Sequence, residues 1–167
     1  MTARTRVALI PGCLALLPEH ASFRDPVAEL RAAVETATSW LGGAVEIVAT
    51  EQGHRVAVAA LAARTTSASD VERSVLVVLN GSACRTEKAP GFLDERAEAF
   101  DAALGAALTT PNPQALRQID GALGQELWAD VATSPQLADL LDGARTVSVD
   151  HDAAPYGVQY WVVRWEI

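Results

Sequence analysis

The sequence predicts an α/β fold: a three-layer sandwich with a largely parallel central sheet and helices on both faces. Three observations point there. Short apolar runs at residues 6–10, 45–49 and 75–79 are each followed by a segment with a helical rhythm, the alternation that builds βαβ units. The third run, Val75-Leu76-Val77-Val78-Leu79, is apolar at every position, as suits a strand covered on both faces. Gly and Pro punctuate the boundaries at Pro11-Gly12, Gly42-Gly43 and Asn112-Pro113.

Each element has its own signal. Residues 6–10 form a short strand stopped by Pro11-Gly12. Asp25-Pro26 opens a helix, with Asp at the cap and Pro in the first turn. Val27, Leu30, Val34, Ala37 and Leu41 then repeat at helical spacing until Gly42-Gly43 ends it. Strand 45–49 follows, then the loop Thr50-Glu51-Gln52-Gly53-His54 and a helix over 56–63. A polar loop at 65–70 leads to strand 75–79. Asp94 caps the next helix, whose inner face carries Leu93, Ala97, Phe100, Leu104 and Leu108. Asn112-Pro113 starts another, with Leu116, Ile119, Leu123 and Leu127 inward, and Ser134 caps a third helical piece over 135–141. Strands 145–149 and 158–165 follow. With no internal repeat and no low-complexity tract, residues 1–167 are expected to form a single domain.

A formal charge of −8 disfavours nucleic acid and anionic membrane surfaces as partners, because both would be repelled. No apolar run approaches the roughly 20 residues of a membrane span. Ile10-Pro11-Gly12-Cys13 faintly resembles a lipoprotein cleavage box, but the apolar stretch 7–10 is too short for a signal segment. Two cysteines without a signal imply free thiols in a reducing, cytoplasmic setting.

The least bland stretch is "VLVVLNGSACRTEKAPGFLDERAEAF", residues 75–100, where a strand runs into a polar loop before a helix begins. Ligands of open α/β sheets bind outside the carboxyl ends of the strands. The loops after residues 10, 49 and 79 are therefore expected on one rim, bringing Cys13, Glu51, His54, Cys84, Arg85, Glu87 and Lys88 toward one pocket. Gly12, Cys13, Ser82, Arg85, Glu87 and Lys88 are the candidate binding residues.

The segment "VLNGSACRTEKAPGFLDERAEAFDAAL", with "ALIPGCLALLPEH" before it and "DAAPYGVQYWVV" after it, resembles actinobacterial relatives of the class III extradiol ring-cleavage dioxygenase catalytic subunit, a superfamily that includes the Memo-like proteins. The resemblance covers most of the chain in order. It implies a ferrous site of two histidines and a carboxylate, with a further histidine as acid/base. In that pattern the first ligand follows strand one, where Gly12 stands. The acid/base histidine follows the strand ending at Leu79, where Cys84 stands. The second ligand follows strand 45–49, several residues ahead of His54. Asp150, His151 and Asp152 lie in the neighbourhood of the remaining carboxylate.

Each candidate has a plainer alternative. Cys84 is a nucleophile if Arg85 or Lys88 lowers its pKa, or else a small core filler. The same choice holds for Cys13. A Cys13–Cys84 disulfide is geometrically conceivable, but a reducing compartment argues against it. His54 is a metal ligand or a surface histidine, and His20 is surface. His151, flanked by two aspartates that would raise its pKa, belongs to a sparse His/Asp cluster or to a turn. Arg85, Glu87 and Lys88 either pair locally or bind an anion or a partner. Tyr156 reads as a turn anchor, and Trp128, Trp161 and Trp165 as core or interface. The strand at 158–165 is apolar on both faces, and read as a sheet edge it predicts a homodimer. Three functions follow: an iron-free, degenerate dioxygenase-like domain that binds a small aromatic or anionic molecule or serves as a scaffold; a metal-dependent dioxygenase with Fe(II) on non-standard ligands; or a structural subunit. The first expects no cofactor.

Overall fold

Five strands and six α-helices make up the described part of the chain, residues 3–66 and 69–167 of the computed structural model. Within the polar loop expected over 65–70, residues 67 and 68 lie outside the described residues. The order is β1 (Thr5–Ile10), α1 (Ala28–Trp40), β2 (Val45–Val48), α2 (Glu51–Ala63), β3 (Arg73–Val78), α3 (Ala97–Thr109), α4 (Pro113–Arg117), α5 (Gly121–Glu126), α6 (Ser134–Leu140), β4 (Thr146–Ala153) and β5 (Tyr160–Glu166). No helix among the described residues is long and apolar enough to cross a membrane.

The sheet runs β2-β3-β1-β5-β4. It is parallel across β2, β3 and β1, as the helical crossovers require, but β5 is antiparallel to both β1 and β4, so the sheet is mixed. The reason is connection length. Only residues 154–159 separate β4 from β5, whereas a parallel return takes about a dozen residues. This tight turn also removes the edge expected at the last strand: β5 is hydrogen-bonded on both sides, and the edges are β2 and β4. The argument for pairing of two copies through β5 therefore falls.

Alternation along the central strands divides the core. Val7, Leu9, Val75, Val77, Leu79, Trp161, Val163 and Trp165 pack with residues of α3, α4 and α6. Ala8, Ile10, Leu76, Val78 and Val162 pack with residues of α1 and α2. The chain thus leaves β1 toward one set of helices and β3 toward the other, which opens a crevice between the carboxyl ends of these two neighbouring strands.

Several boundaries differ from expectation. Residues 51–54 are not a loop: Thr50 accepts the Gly53 N–H and caps α2, which begins five residues early. Asp94 accepts the Arg96 N–H one turn ahead of α3, whose cap position is Arg96. The helix expected through Leu127 is two helices, because Asp120 accepts the Leu123 N–H and restarts it. Thr133, not Ser134, holds the cap position of α6, and its hydroxyl donates to the Val78 carbonyl.

Candidate functional site

The rim at the carboxyl ends of β1, β2 and β3 assembles from the loops that the sequence placed there. The Gly12 N–H donates to Asn80 Oδ1 (3.2 Å), and Gln52 Nε2 donates to the Gly12 carbonyl (3.4 Å). Asn80 forms a two-way backbone bridge with Asp130, whose carboxylate accepts the Thr50 hydroxyl at 3.2 Å. Burial pushes the Asp130 carboxyl above its ordinary pKa, against the Thr50 hydroxyl and the Ala132 backbone, which lower it. Asn80 opens the polar loop that the sequence singled out, whereas Asp130 carries no motif signal. Asp130 reaches the crevice only because the chain returns there after α5.

The two cysteines do not meet. Cys13 is buried with the α1–α2 cluster beside Tyr160, whose phenol is pushed up by burial and by the nearby thiol. Cys84 is buried with the α3 cluster, its Sγ donating to the Leu127 carbonyl at 3.4 Å. Both are free, so no disulfide joins them. The Cys84 thiol is pushed up, first by burial and then by Asp94 and Asp101. This reverses the activation expected from Arg85 or Lys88, and a thiol held protonated in a core is a poor nucleophile.

On the α3 side, the loop after β3 is tied down by one carboxylate. Asp101 is 2% exposed. It accepts the Ser82 N–H at 2.8 Å, the Ser82 hydroxyl at 2.6 Å and Arg85 Nη1 at 3.4 Å. Arg85 Nη1 also donates to Gln159 Oε1 at 3.1 Å, and Gln159 Nε2 donates to Asp152 Oδ1 at 2.9 Å. Gly81 permits this close approach, since a Cβ there would lie 2.6 Å from Asp101 Oδ1. Ser82, buried, and Arg85, half-buried, are therefore parts of one network, while Glu87 and Lys88 are exposed and make no ion pair among the described residues. Asp101 was legible in the sequence: it lies four residues after Ala97 and three before Leu104, on the inward face of an amphipathic helix.

Beside Arg85 is a cavity of about 290 Å³ lined by Arg85, Glu98, Asp101, Asp152, Gln159 and Trp161, with Ala102, Gly105 and Ala106 of α3 as its floor. The small side chains keep the floor low. A Cβ at Gly105 would stand only 3.2–3.4 Å from the Trp161 ring.

The remaining candidates scatter. His54 and Glu51 are exposed on α2, which packs on β2 and β3. Asp150 and His151 sit on β4, three strands from β3, or roughly 14 Å at the usual spacing. Asp150 is bound by Arg164 through Nε (2.6 Å) and Nη2 (2.9 Å). A bulge between Val149 and His151 interrupts the register beside it. Among the described residues, His151 Nε2 is buried without a partner. Burial pushes its pKa down, outweighing Glu29 and Asp152, so the raised value expected from its aspartate neighbours is corrected. Trp128 is 61% exposed and not core, whereas Trp161 and Trp165 are buried. Tyr156 does anchor a turn: it adopts φ 56°, in the left-handed region, and its hydroxyl donates to the Pro26 carbonyl at 3.3 Å.

These positions do not fit a ferrous ion. Gly12 offers no side-chain donor, Cys84 is spent on a carbonyl, and His54 cannot share a metal with Asp150 across three strands. Among the described residues no group of three or more His, Cys, Asp or Glu could hold a metal ion. No protein-family model matches the chain, and no curated protein matches it.

The half-buried His151 has a measurable consequence. Because its folded pKa is depressed, the unfolded chain binds the proton more readily between the folded value and about 6.5. The stability that His151 supports is present above about pH 6.5 and is lost as pH falls through the folded value. His151→Gln is expected to flatten the fall in urea-unfolding free energy between pH 7 and pH 5. An unchanged slope would show that His151 protonates equally in both states.

Proposed function

We propose that the chain is a three-layer α/β domain of the extradiol ring-cleavage type that carries no iron chemistry and binds a small molecule in the cavity beside Arg85. One observation carries the reading: Arg85 is fixed on one nitrogen by a buried carboxylate and by Gln159, at the wall of a cavity close to the lower size limit of small-molecule sites, about 300 Å³. An arginine held this way is pre-organised, so little of its rotamer freedom remains to be lost on binding. The loss of iron chemistry is supported by Gly12 and Cys84 at the places where the resemblance calls for histidines. A reducing, cytoplasmic setting is part of the proposal, supported by two free cysteines buried in different parts of the core.

Two measurements test this. Purified protein supplied with Fe(II) under nitrogen is expected to retain far less than one iron per chain after desalting, and a stoichiometric ion would overturn the iron-free reading. A thermal-shift screen of small aromatic, anionic and polar compounds is expected to give stabilising hits that disappear in Arg85→Gln. Hits that persist in the variant would place binding elsewhere.

A second reading, an interaction subunit, is favoured by Phe92, Leu93 and Trp128, all more than half exposed, with Trp128 Cγ 3.3 Å from where a Gly91 Cβ would stand. Here a second copy would pair through this patch and not through β5. Sedimentation at micromolar concentration would then show a dimer that Trp128→Glu dissociates. A monomer alone sinks it.

A further inference from the structure

We propose that the Arg85 cavity takes a small zwitterion of the α-amino-acid type, its carboxylate toward Arg85 and its ammonium toward Glu98 and Asp152. The inference rests on the reading of this cavity as a ligand site and names its ligand class.

The charges carry it. Arg85 commits Nη1 to Asp101 and Gln159, and among the described residues its Nε and Nη2 make no hydrogen bond. Those remaining donors lie on the fork that matches a carboxylate. Asp101 offsets the guanidinium through their ion pair and is itself closed off by Ser82. Glu98 and Asp152 are different. Both line the cavity, both are exposed, and neither makes an ion pair among the described residues. The Asp152 carboxylate has one oxygen on Gln159, which leaves the other available.

A simple anion at Arg85 would therefore face two uncompensated carboxylates, and a simple cation would leave the Nε and Nη2 donors of Arg85 without an acceptor. All three line one cavity, and the Gln159 amide links Arg85 to Asp152 through hydrogen bonds of 3.1 and 2.9 Å. A ligand carrying both signs meets each with its complement, and like-charge juxtaposition disfavours the alternatives. The floor of Ala102, Gly105 and Ala106 leaves room for a modest side chain, with the edge of Trp161 beside it.

The test uses the full chain labelled with ¹⁵N. The twenty common L-amino acids are screened in pools, following the indole N–H of Trp161, and the best binder is titrated beside its deaminated acid and its decarboxylated amine. The amino acid is expected to bind at least tenfold tighter than either truncated probe, and Arg85→Gln to weaken it at least tenfold. Glu98→Gln, at an exposed position that leaves the fold intact, is expected to weaken the amino acid several-fold while strengthening the acid, narrowing or inverting the preference. If either truncated probe binds wild-type protein as tightly as the amino acid, the zwitterion is overturned while the cavity reading stands. If no probe shifts the Trp161 signal, the zwitterion is again overturned, and the cavity reading falls with it only if the wider thermal-shift screen is also silent.

Discussion

Asp101→Ala is expected to lower the unfolding free energy by about 3–5 kcal/mol, because it strands two buried Ser82 donors at about 1–3 kcal/mol each and breaks the part-buried pair with Arg85. The carboxylate satisfies three donors at once, the Ser82 N–H, the Ser82 hydroxyl and Arg85 Nη1. An alanine leaves Ser82, fully buried, with two donors facing a void. Arg85 keeps only Gln159 and swings toward solvent. The loop leaving β3 then loses its tie to α3, so ligand binding beside Arg85 is lost together with stability. For a domain of this size the loss corresponds to a melting temperature lower by roughly 6–20 °C. Asp101→Asn keeps one acceptor oxygen and should fall between wild type and alanine. Urea titration followed by circular dichroism reads the difference. A change below about 1 kcal/mol would mean that the loop is held by its backbone bonds, such as those from Ala83 to Leu127 and from Arg85 to Gly157, and not by the carboxylate.

Trp161→Ala is expected to cost about 3–5 kcal/mol as well, for a different reason: it empties a large volume from a core that cannot collapse onto it. Trp161 is 1% exposed, pairs with Asp152 of β4 on a strand that β1 flanks from Val163 onward, and packs against Gly105 of α3. The sheet prevents the strand from moving in to fill the space. The same contact supplies a control. Gly105→Ala adds a Cβ within 3.2–3.4 Å of the ring and should destabilise the wild type. In the Trp161→Ala background the added methyl enters vacant space, and the helix gains up to about 1 kcal/mol from replacing glycine. The two substitutions should thus couple favourably in a double-mutant cycle, as residues in contact do. Additive effects would show that α3 and β5 do not pack through this pair.

Much of the architecture was present in local pattern. The all-apolar, β-branched run Val75-Leu76-Val77-Val78-Leu79 read as a strand covered on both faces, and the 3.6-residue spacing of Leu30, Val34 and Ala37 as one face of a helix. From these, the meeting of the loops at Gly12, Thr50 and Asn80 follows, because parallel strands joined by crossovers present their carboxyl ends together. What tertiary structure alone decided was which polar groups are paired. Asp150 is consumed by Arg164, a residue fourteen positions later that β5 places across the hairpin. Cys84 and His151 have pKa values displaced opposite to what their charged neighbours in sequence suggest, because burial outweighs those neighbours. Asp130 enters the rim through a backbone bridge fifty residues from its partner. Periodicity is a property of adjacent residues and is written in their order. Desolvation and charge pairing depend on what lies within a few ångströms, and only the folded chain determines that.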